Sequence, residues 1–233
     1  MNMSVSAKML LAALTAAWTM GATCADDGGC PISERRRGHE NIEWSTGYSY
    51  HLTDANRHLP RVLLVGDSIC SGYQTGVRKL LEGDVNVSYW ISSYCVTCTN
   101  YMKFLDIYLS ETKYDVVHFN NGLHSLGMPP DVWARKLEAA LRLIRERQPS
   151  AKIIWTTSTP LKEAKLTARA QALNAAAAAV VGRLGGIATD DLFALLDPLD
   201  RNENWSDSCH HRPALREKEA AQVAQSIRTA LGL

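Results

Sequence analysis

The chain has 233 residues, a formal net charge of +1 and 46% apolar residues. This length suits one domain with a sizeable core, and the apolar share is ordinary for a globular protein. The near-zero charge argues against a nucleic-acid-binding protein, because such a protein needs a basic surface to compete with counterions. The composition therefore favours a neutral globular enzyme.

Residues 1–25 have the pattern of a secretory signal peptide. A lysine precedes a short apolar core at residues 9–18, and small residues lead up to Ala25. That core is too short to span a membrane. We therefore predict cleavage after Ala25 and a secreted or periplasmic protein. A lipoprotein with Cys24 as its lipidated residue ranks second, because the residue before Cys24 is not the usual Ala or Gly, and a buried N-terminal helix ranks third.

Residues 26–60 are polar and interrupted by Gly and Pro, which predicts a lead-in with little regular structure. One domain is predicted over residues 61–233, where short apolar runs alternate with helical patterns. Near-continuous apolar runs are typical of strands buried on both faces of a parallel sheet. Five such runs occur, at residues 62–65, 85–90, 116–119, 153–157 and 186–189.

Five helical patterns accompany these strands, at residues 71–82, 99–111, 131–147, 166–184 and 214–231. The repeated strand–helix order predicts right-handed crossovers between parallel strands. The predicted fold class is therefore α/β, a doubly wound sandwich around a five-stranded parallel sheet.

The first chemical motif, Gly66-Asp67-Ser68, comes directly after the first predicted strand. Ligands of open α/β sheets bind outside the carboxyl ends of the strands. A serine at that place also lies near a helix N-terminus, whose free N–H groups can stabilise an oxyanion. The tripeptide alone is equally typical of a tight turn with a helix cap. Ser68 is therefore a candidate nucleophile that needs a partner.

The partner motif is Asp207-Ser208-Cys209-His210, shortly before the last predicted helix. A serine is a weak nucleophile until a base removes its proton, and an acceptor must hold that base in the right tautomer. An Asp three residues before a His can do so within one turn of chain. A lone D-x-x-H pattern is more often a surface turn, but both motifs fall at the same edge of the predicted sheet. Together they predict a Ser68–His210–Asp207 triad.

With these two motifs, residues 61–231 resemble the GDSL, or SGNH, hydrolase family. Its first block corresponds to Gly66-Asp67-Ser68, and its last block, D-x-x-H before the final helix, to Asp207 through His210. The resemblance implies a flavodoxin-like three-layer sandwich and no cofactor or metal. It also implies that Ser68 is the nucleophile, that His210 is general base and then acid, and that Asp207 orients His210.

The middle blocks depart from the family pattern. The family's third block, G-x-N-D, supplies an Asn that donates to the oxyanion, and His124 stands at that place here. A neutral His can donate one N–H, and Asn120 or Asn121 are further candidates for the same role. The alternative is that His124 makes local hydrogen bonds only. The second block has no glycine within residues 92–98, so another backbone N–H there must complete the oxyanion hole.

Five cysteines remain after the predicted cleavage, and an exported protein can keep disulfides. In the implied fold the loops that carry Cys70, Cys95 and Cys98 converge, which favours a disulfide between Cys70 and either Cys95 or Cys98. Two alternatives are a Cys95–Cys98 redox pair and a metal site built from Cys95, Cys98, Cys209 and His211. The resemblance implies no metal, so we expect none.

These observations predict an exported, metal-independent serine esterase that hydrolyses small acyl esters, mainly acetyl esters on carbohydrate, through an acyl-enzyme. Lipid or short-chain esters come second as substrates. An O-acyltransferase on the same triad and a non-catalytic carbohydrate-binding relic are the alternative functions. The expected partner is a small-molecule or saccharide ester, without nucleic acid or stable membrane insertion. The sequence leaves the oligomeric state open.

Overall fold

The computed structural model describes residues 43–233, so the predicted signal peptide and residues 26–42, with Cys24 and Cys30, lie outside the described residues. Six strands form one sheet: β1 Ser45–Tyr48, β2 Arg61–Gly66, β3 Asn86–Ser92, β4 Val116–Phe119, β5 Lys152–Thr156 and β6 Ile187–Asp190. The helices are α1 Ser68–Leu80, α2 Thr99–Ser110, α3 Pro130–Arg147, α4 Ala164–Leu184, α5 Leu192–Leu196, α6 Arg201–Asn204 and α7 Pro213–Leu231. A 3₁₀ turn covers Leu123–Ser125.

The strand order is β1-β3-β2-β4-β5-β6, and the five strands from β2 to β6 are parallel. The predicted doubly wound α/β class is confirmed. The predicted count of five strands was short by one, because β1 adds an antiparallel edge strand beside β3. β1 lies inside the predicted lead-in. Its sequence, Ser-Thr-Gly-Tyr, is mostly exposed and carries no apolar alternation, so its partner strand rather than its own pattern makes it a strand.

Alternate residues of the central strand β2 face two different cores. Leu63 and Val65 pack in one hydrophobic cluster, with residues of α2, α3 and α4, whereas Val62 and Leu64 pack in the other, with residues of α1 and α7. All four side chains are fully buried. This arrangement is the three-layer sandwich expected when a parallel strand is covered on both faces.

The helices begin where local capping chemistry places them. Pro130 and Pro213 occupy the first helical position of α3 and α7, where the missing N–H costs nothing. Gly185 ends α4 with a positive φ of 63°, which a side-chain-bearing residue rarely adopts. No helix among residues 43–233 is long and apolar enough to cross a membrane.

Candidate active site

The turn between β2 and α1 exposes Ser68 at the carboxyl edge of the sheet. Asp67 is buried and caps α1 by accepting a hydrogen bond from the Ile69 backbone N–H at 2.9 Å, so Ser68 becomes the first helical residue. Gly66 is required by close packing, because a Cβ there would lie 2.5 Å from Cys70 Cβ. The turn therefore presents the Ser68 hydroxyl at a helix N-terminus.

The loop before α7 carries the acid–base pair. The Asp207 Oδ1 atom accepts hydrogen bonds from the backbone N–H groups of Cys209 at 2.9 Å and His210 at 2.8 Å. Its Oδ2 atom lies 2.8 Å from His210 Nδ1, and His210 Nε2 lies 2.8 Å from Ser68 Oγ. The structure thus brings Ser68, His210 and Asp207 into one hydrogen-bonded chain, although Ser68 and His210 are 142 residues apart in sequence.

The same loop is fixed behind the triad by a pair that the sequence motifs did not indicate. His211 lies in the interior, with its Nδ1 atom 2.9 Å from Glu219 Oε1, and both side chains are almost fully buried. The Trp205 ring packs edge-on against His211. A carboxylate within the buried stripe Leu215–Glu219–Val223 of α7 was the one sequence signal for this pair, because such a position needs a polar partner.

The electrostatics of the Asp207–His210 pair favour an ionised Asp207 and a basic His210. The Cys209 sulfur 3.7 Å from His210 Nδ1 and the Asp207 carboxylate raise the pKa of His210 to about 9, against the opposing effect of burial. Burial acts to raise the pKa of Asp207, but hydrogen bonds from the backbone of His210 and Cys209 and from the His210 ring outweigh it and lower that pKa.

Asn120 and Asn121, two of the three candidate oxyanion donors, have amide groups that hold neighbouring segments together. Asn120 Nδ2 donates to the Thr156 carbonyl at 2.6 Å. Asn121 Nδ2 donates to the Tyr94 carbonyl, and its Oδ1 accepts from the Val96 N–H, each at 2.9 Å. Both side chains are buried, so each contributes to the scaffold of this edge.

His124, the third candidate donor, lies in the 3₁₀ turn after β4 and is half-buried. The turn starts at Gly122, where a Cβ would overlap the Ser158 hydroxyl. Ser158 cannot readily move away, because Asn174 bonds its backbone N–H and its carbonyl, each at 2.9 Å. Close packing on Gly122 therefore fixes the turn that carries His124.

The cysteines are distributed differently from the expected pairing. Cys70 packs in the hydrophobic cluster that contains residues of α1 and α7, whereas Cys95 and Cys98 pack in the cluster on the opposite face of the sheet. The structure therefore does not bring Cys70 to either of them. It brings Cys95 and Cys98 together instead, with their sulfur atoms 2.7 Å apart.

A different set of metal-ligating atoms comes together in the structure. Among residues 43–233, Asp207, Cys209 and His210 each offer one ligand atom within 4.8 Å of the others. The alternative metal site considered from the sequence, Cys95, Cys98, Cys209 and His211, does not assemble among residues 43–233. Because His210 already bonds both Asp207 and Ser68, a metal at this cluster would compete with the triad.

The triad lies at an open surface rather than in a deep cavity. The side chains of His210 and Asp207 are 33% and 52% exposed. A small cavity of about 10 Å³ touches the turn at Asp67 and is lined further by Ile69, Asn120 and Leu123. Two larger cavities, of about 430 and 410 Å³, lie beside β1 on either side of residues 50–51.

The fold is that of the GDSL/SGNH hydrolases, a class whose solved members match the chain over most of its length. A member of the lipolytic G-D-S-L family from Veillonella parvula has a TM-score of 0.61 at 14% identity, covering 71% of this chain and 96% of that one. A GDSL-like lipase from Bacteroides thetaiotaomicron has a TM-score of 0.58 at 17% identity, covering 77% and 93%. A family 3 carbohydrate esterase from Talaromyces cellulolyticus has a TM-score of 0.59 at 16% identity, covering 75% and 100%. No protein-family model and no curated protein matches the sequence.

Proposed function

We propose that this protein is an exported serine esterase of the SGNH hydrolase family, with Ser68 as nucleophile, His210 as general base and acid, and Asp207 as orienting carboxylate. The observation that carries the proposal is the continuous chain of 2.8 Å contacts from Ser68 Oγ through His210 to Asp207. An unreactive relic has no need of this geometry at the carboxyl edge of the sheet, where ligands of α/β folds bind.

The reaction follows from the roles of the three side chains. His210 Nε2 takes the proton of Ser68 Oγ while that oxygen attacks the ester carbonyl carbon. The tetrahedral intermediate collapses, the C–O bond to the alcohol breaks, and the alcohol leaves with the proton from His210. A water molecule then gives a proton to His210 while its oxygen attacks the acyl-enzyme carbonyl. The bond from that carbon to Ser68 Oγ breaks, His210 returns the proton to Ser68 Oγ, and the acid leaves. Asp207 keeps the Nδ1–H of His210 in place throughout.

The proposed substrate is a small acyl group, mainly acetyl, on a carbohydrate. The exposed His210 and Asp207 leave room for a bulky alcohol such as a saccharide. Solved structures of similar fold include carbohydrate esterases of families 2 and 3 and an acetyl esterase with acetate.

A fluorophosphonate probe tests the nucleophile directly, because it forms a covalent bond with an activated serine. We expect labelling of the wild type and none of Ser68→Ala. Ser71→Ala is the matched control, since Ser71 is an exposed serine one helical turn further along α1. Equal labelling of wild type and Ser68→Ala would refute the proposal.

Substrate class and export need separate measurements. Acetate release from O-acetylated xylose and O-acetylated glucosamine should exceed the hydrolysis of long-chain acyl esters, and EDTA should leave both rates unchanged. Higher rates on long chains would favour a lipid esterase, and acyl transfer to an added sugar in competition with water would favour the transferase. Export predicts that the mature protein begins at Asp26, which mass spectrometry of the secreted or periplasmic protein measures.

A further inference from the structure

The loop between β3 and α2 carries two cysteines at the right separation for a covalent link. The Cys98 backbone N–H donates to the Cys95 carbonyl at 2.9 Å, which closes a four-residue turn. Such a turn keeps the two Cα atoms within about 7 Å, close to the range that a disulfide spans. The sulfur atoms are 2.7 Å apart, and both side chains are no more than 5% exposed.

This loop also lies next to the proposed nucleophile. β3 is the direct neighbour of β2 in the sheet, and the two strands are parallel, so the loop after Ser92 and the turn at Ser68 share one edge. Tyr101 lies in the first turn of α2, and burial is the main cause of its raised pKa. The Asp67 carboxylate is near enough to contribute to the same rise. Asn121 ties the loop to the segment that carries His124, through Tyr94 and Val96.

We infer that Cys95 and Cys98 form a disulfide in the mature protein, and that this disulfide fixes the loop whose backbone N–H groups complete the oxyanion hole. The inference rests on the proposed function for export to an oxidising compartment, and on the expectation from the sequence that a backbone N–H of this loop completes the oxyanion hole. A covalent link across this turn holds the loop in one conformation, as a preorganised oxyanion donor requires.

The oxidation requires a disulfide-exchange oxidant of the export compartment. The thiolate of one cysteine attacks a sulfur of the oxidant's disulfide and forms a mixed disulfide. The second thiolate then attacks the sulfur of the first cysteine and displaces the oxidant. The protein loses two protons and two electrons, and the oxidant leaves as a dithiol. Cys70 is not a competing partner, because it packs on the opposite face of the sheet.

Alkylation of the secreted protein in denaturant tests the bond without any activity measurement. Tryptic cleavage after Lys79 and Lys103 leaves Cys95 and Cys98 in one peptide and Cys70 in another. We expect the peptide of residues 80–103 to carry no alkyl group without reductant and two after dithiothreitol. The Cys70 peptide, as the internal control, should carry one in both samples. Two alkyl groups on residues 80–103 without reductant would overturn the inference.

Kinetics test the catalytic consequence. Dithiothreitol should lower the kcat of the wild type about tenfold, less than the ~10²-fold loss of a whole oxyanion donor, with KM little changed. The Cys95→Ala/Cys98→Ala variant should start at the lowered kcat and show no response to dithiothreitol. An unchanged kcat in the reduced wild type would refute the role of the loop even if that variant does not fold. A disulfide found by mass in a protein that fluorophosphonate does not label would instead refute the proposed function.

Discussion

The two sides of the candidate active site are built in opposite ways. On the base side, Asp207 holds His210 through contacts that span only three residues, and the loop is half-exposed. The oxyanion side comprises the candidate donors His124, Asn120 and Asn121. There Asn121 bonds Tyr94 and Val96 across 27 and 25 residues of sequence, and Asn120 bonds Thr156 across 36. The base side is held by half-exposed hydrogen bonds between residues close in sequence, and the oxyanion side by buried hydrogen bonds between distant segments.

This difference predicts how each side responds to change. A locally bonded surface loop can lose a side chain without disturbing the core, so substitutions there should affect catalysis and leave the fold intact. A buried amide that joins two loops cannot be removed without leaving unpaired polar groups, each of which costs about 1–3 kcal/mol. Substitutions on the oxyanion side should therefore mix effects on catalysis and on stability.

The largest expected effect is on the base side. Ser68→Ala and His210→Ala should each lower kcat about 10⁴-fold or more, with an unchanged melting temperature, and Asp207→Ala should cost about a hundredfold less because it orients the base. His211 cannot substitute for His210, since it is buried against Glu219. Initial rates on an acetyl ester and thermal melting provide the measurement. Residual activity in His210→Ala that disappears on adding His211→Ala would show the assignment of the base to be wrong.

The oxyanion side should give an intermediate effect. His124→Ala should lower kcat about 10²–10³-fold with little change in KM, because the charge it stabilises exists only in the transition state. His124→Asn should restore much of that loss, since an amide offers the same kind of donor. Asn120→Ala and Asn121→Ala should mainly lower the melting temperature, as both amides bridge buried segments.

Turnover and melting temperature of these variants separate the two roles. A His124→Ala protein with wild-type turnover and a lowered melting temperature would make His124 a packing residue. Loss of turnover in Asn120→Ala or Asn121→Ala at full stability would then identify the donor.

Sequence patterns indicated the Asp207–His210 loop and the candidate donors His124, Asn120 and Asn121. They did not indicate the edge strand β1 or the separation of Cys70 from Cys95, and the reason is physical. A D-x-x-H pattern carries its own geometry, because the backbone N–H groups of residues 209 and 210 bond the same carboxylate that holds the His210 ring. The five long helices were predicted within about three residues, because their periodicity and caps are local signals, whereas the short helices α5 and α6 were not predicted. The pairing of β1 with β3 and the separation of Cys70 from Cys95 depend on contacts between distant segments, which no local pattern encodes.

The pH dependence of kcat/KM should follow the protonation of His210 on the base side. Changing Cys209, its neighbour, should alter activity at neutral pH about tenfold. His210 must be neutral to accept the Ser68 proton, and its pKa is raised to about 9, so kcat/KM should rise with pH up to that value. Cys209 contributes most to this raised pKa. Cys209→Ala should therefore lower the pKa of His210 and move the rising limb of the profile to lower pH. Activity at neutral pH should increase about tenfold if the limb moves by about one pH unit.

The measurement is kcat/KM from about pH 6 to about pH 10 for the wild type and Cys209→Ala. Cys70→Ala is the control, because Cys70 is buried and is not among the groups that shift the pKa of His210, so it should leave the limb in place. Coincident profiles for wild type and Cys209→Ala would show that Asp207 alone sets the basicity of His210.

The smallest catalytic effect, and the sharpest test of packing, concerns Gly122 on the oxyanion side. A Cβ at this position would overlap the Ser158 hydroxyl and lie 2.9 Å from Ser158 Cβ, while Asn174 holds the Ser158 backbone in place. Gly122→Ala should therefore cost about 1–3 kcal/mol of stability, which lowers the melting temperature by about 2–4 °C for each kcal/mol.

Because the 3₁₀ turn begins at Gly122, the strain should also displace His124 and lower kcat by a few-fold, about the cost of a sub-ångström misplacement. Gly127→Ala is the matched control, since a Cβ there meets nothing within 4 Å and should change neither quantity. Removing the Ser158 side chain should relieve the overlap, so Gly122→Ala/Ser158→Gly should recover kcat relative to Gly122→Ala. If the double variant is as slow as Gly122→Ala, the contact between Gly122 and Ser158 does not position the turn, and the claim that close packing fixes His124 is wrong.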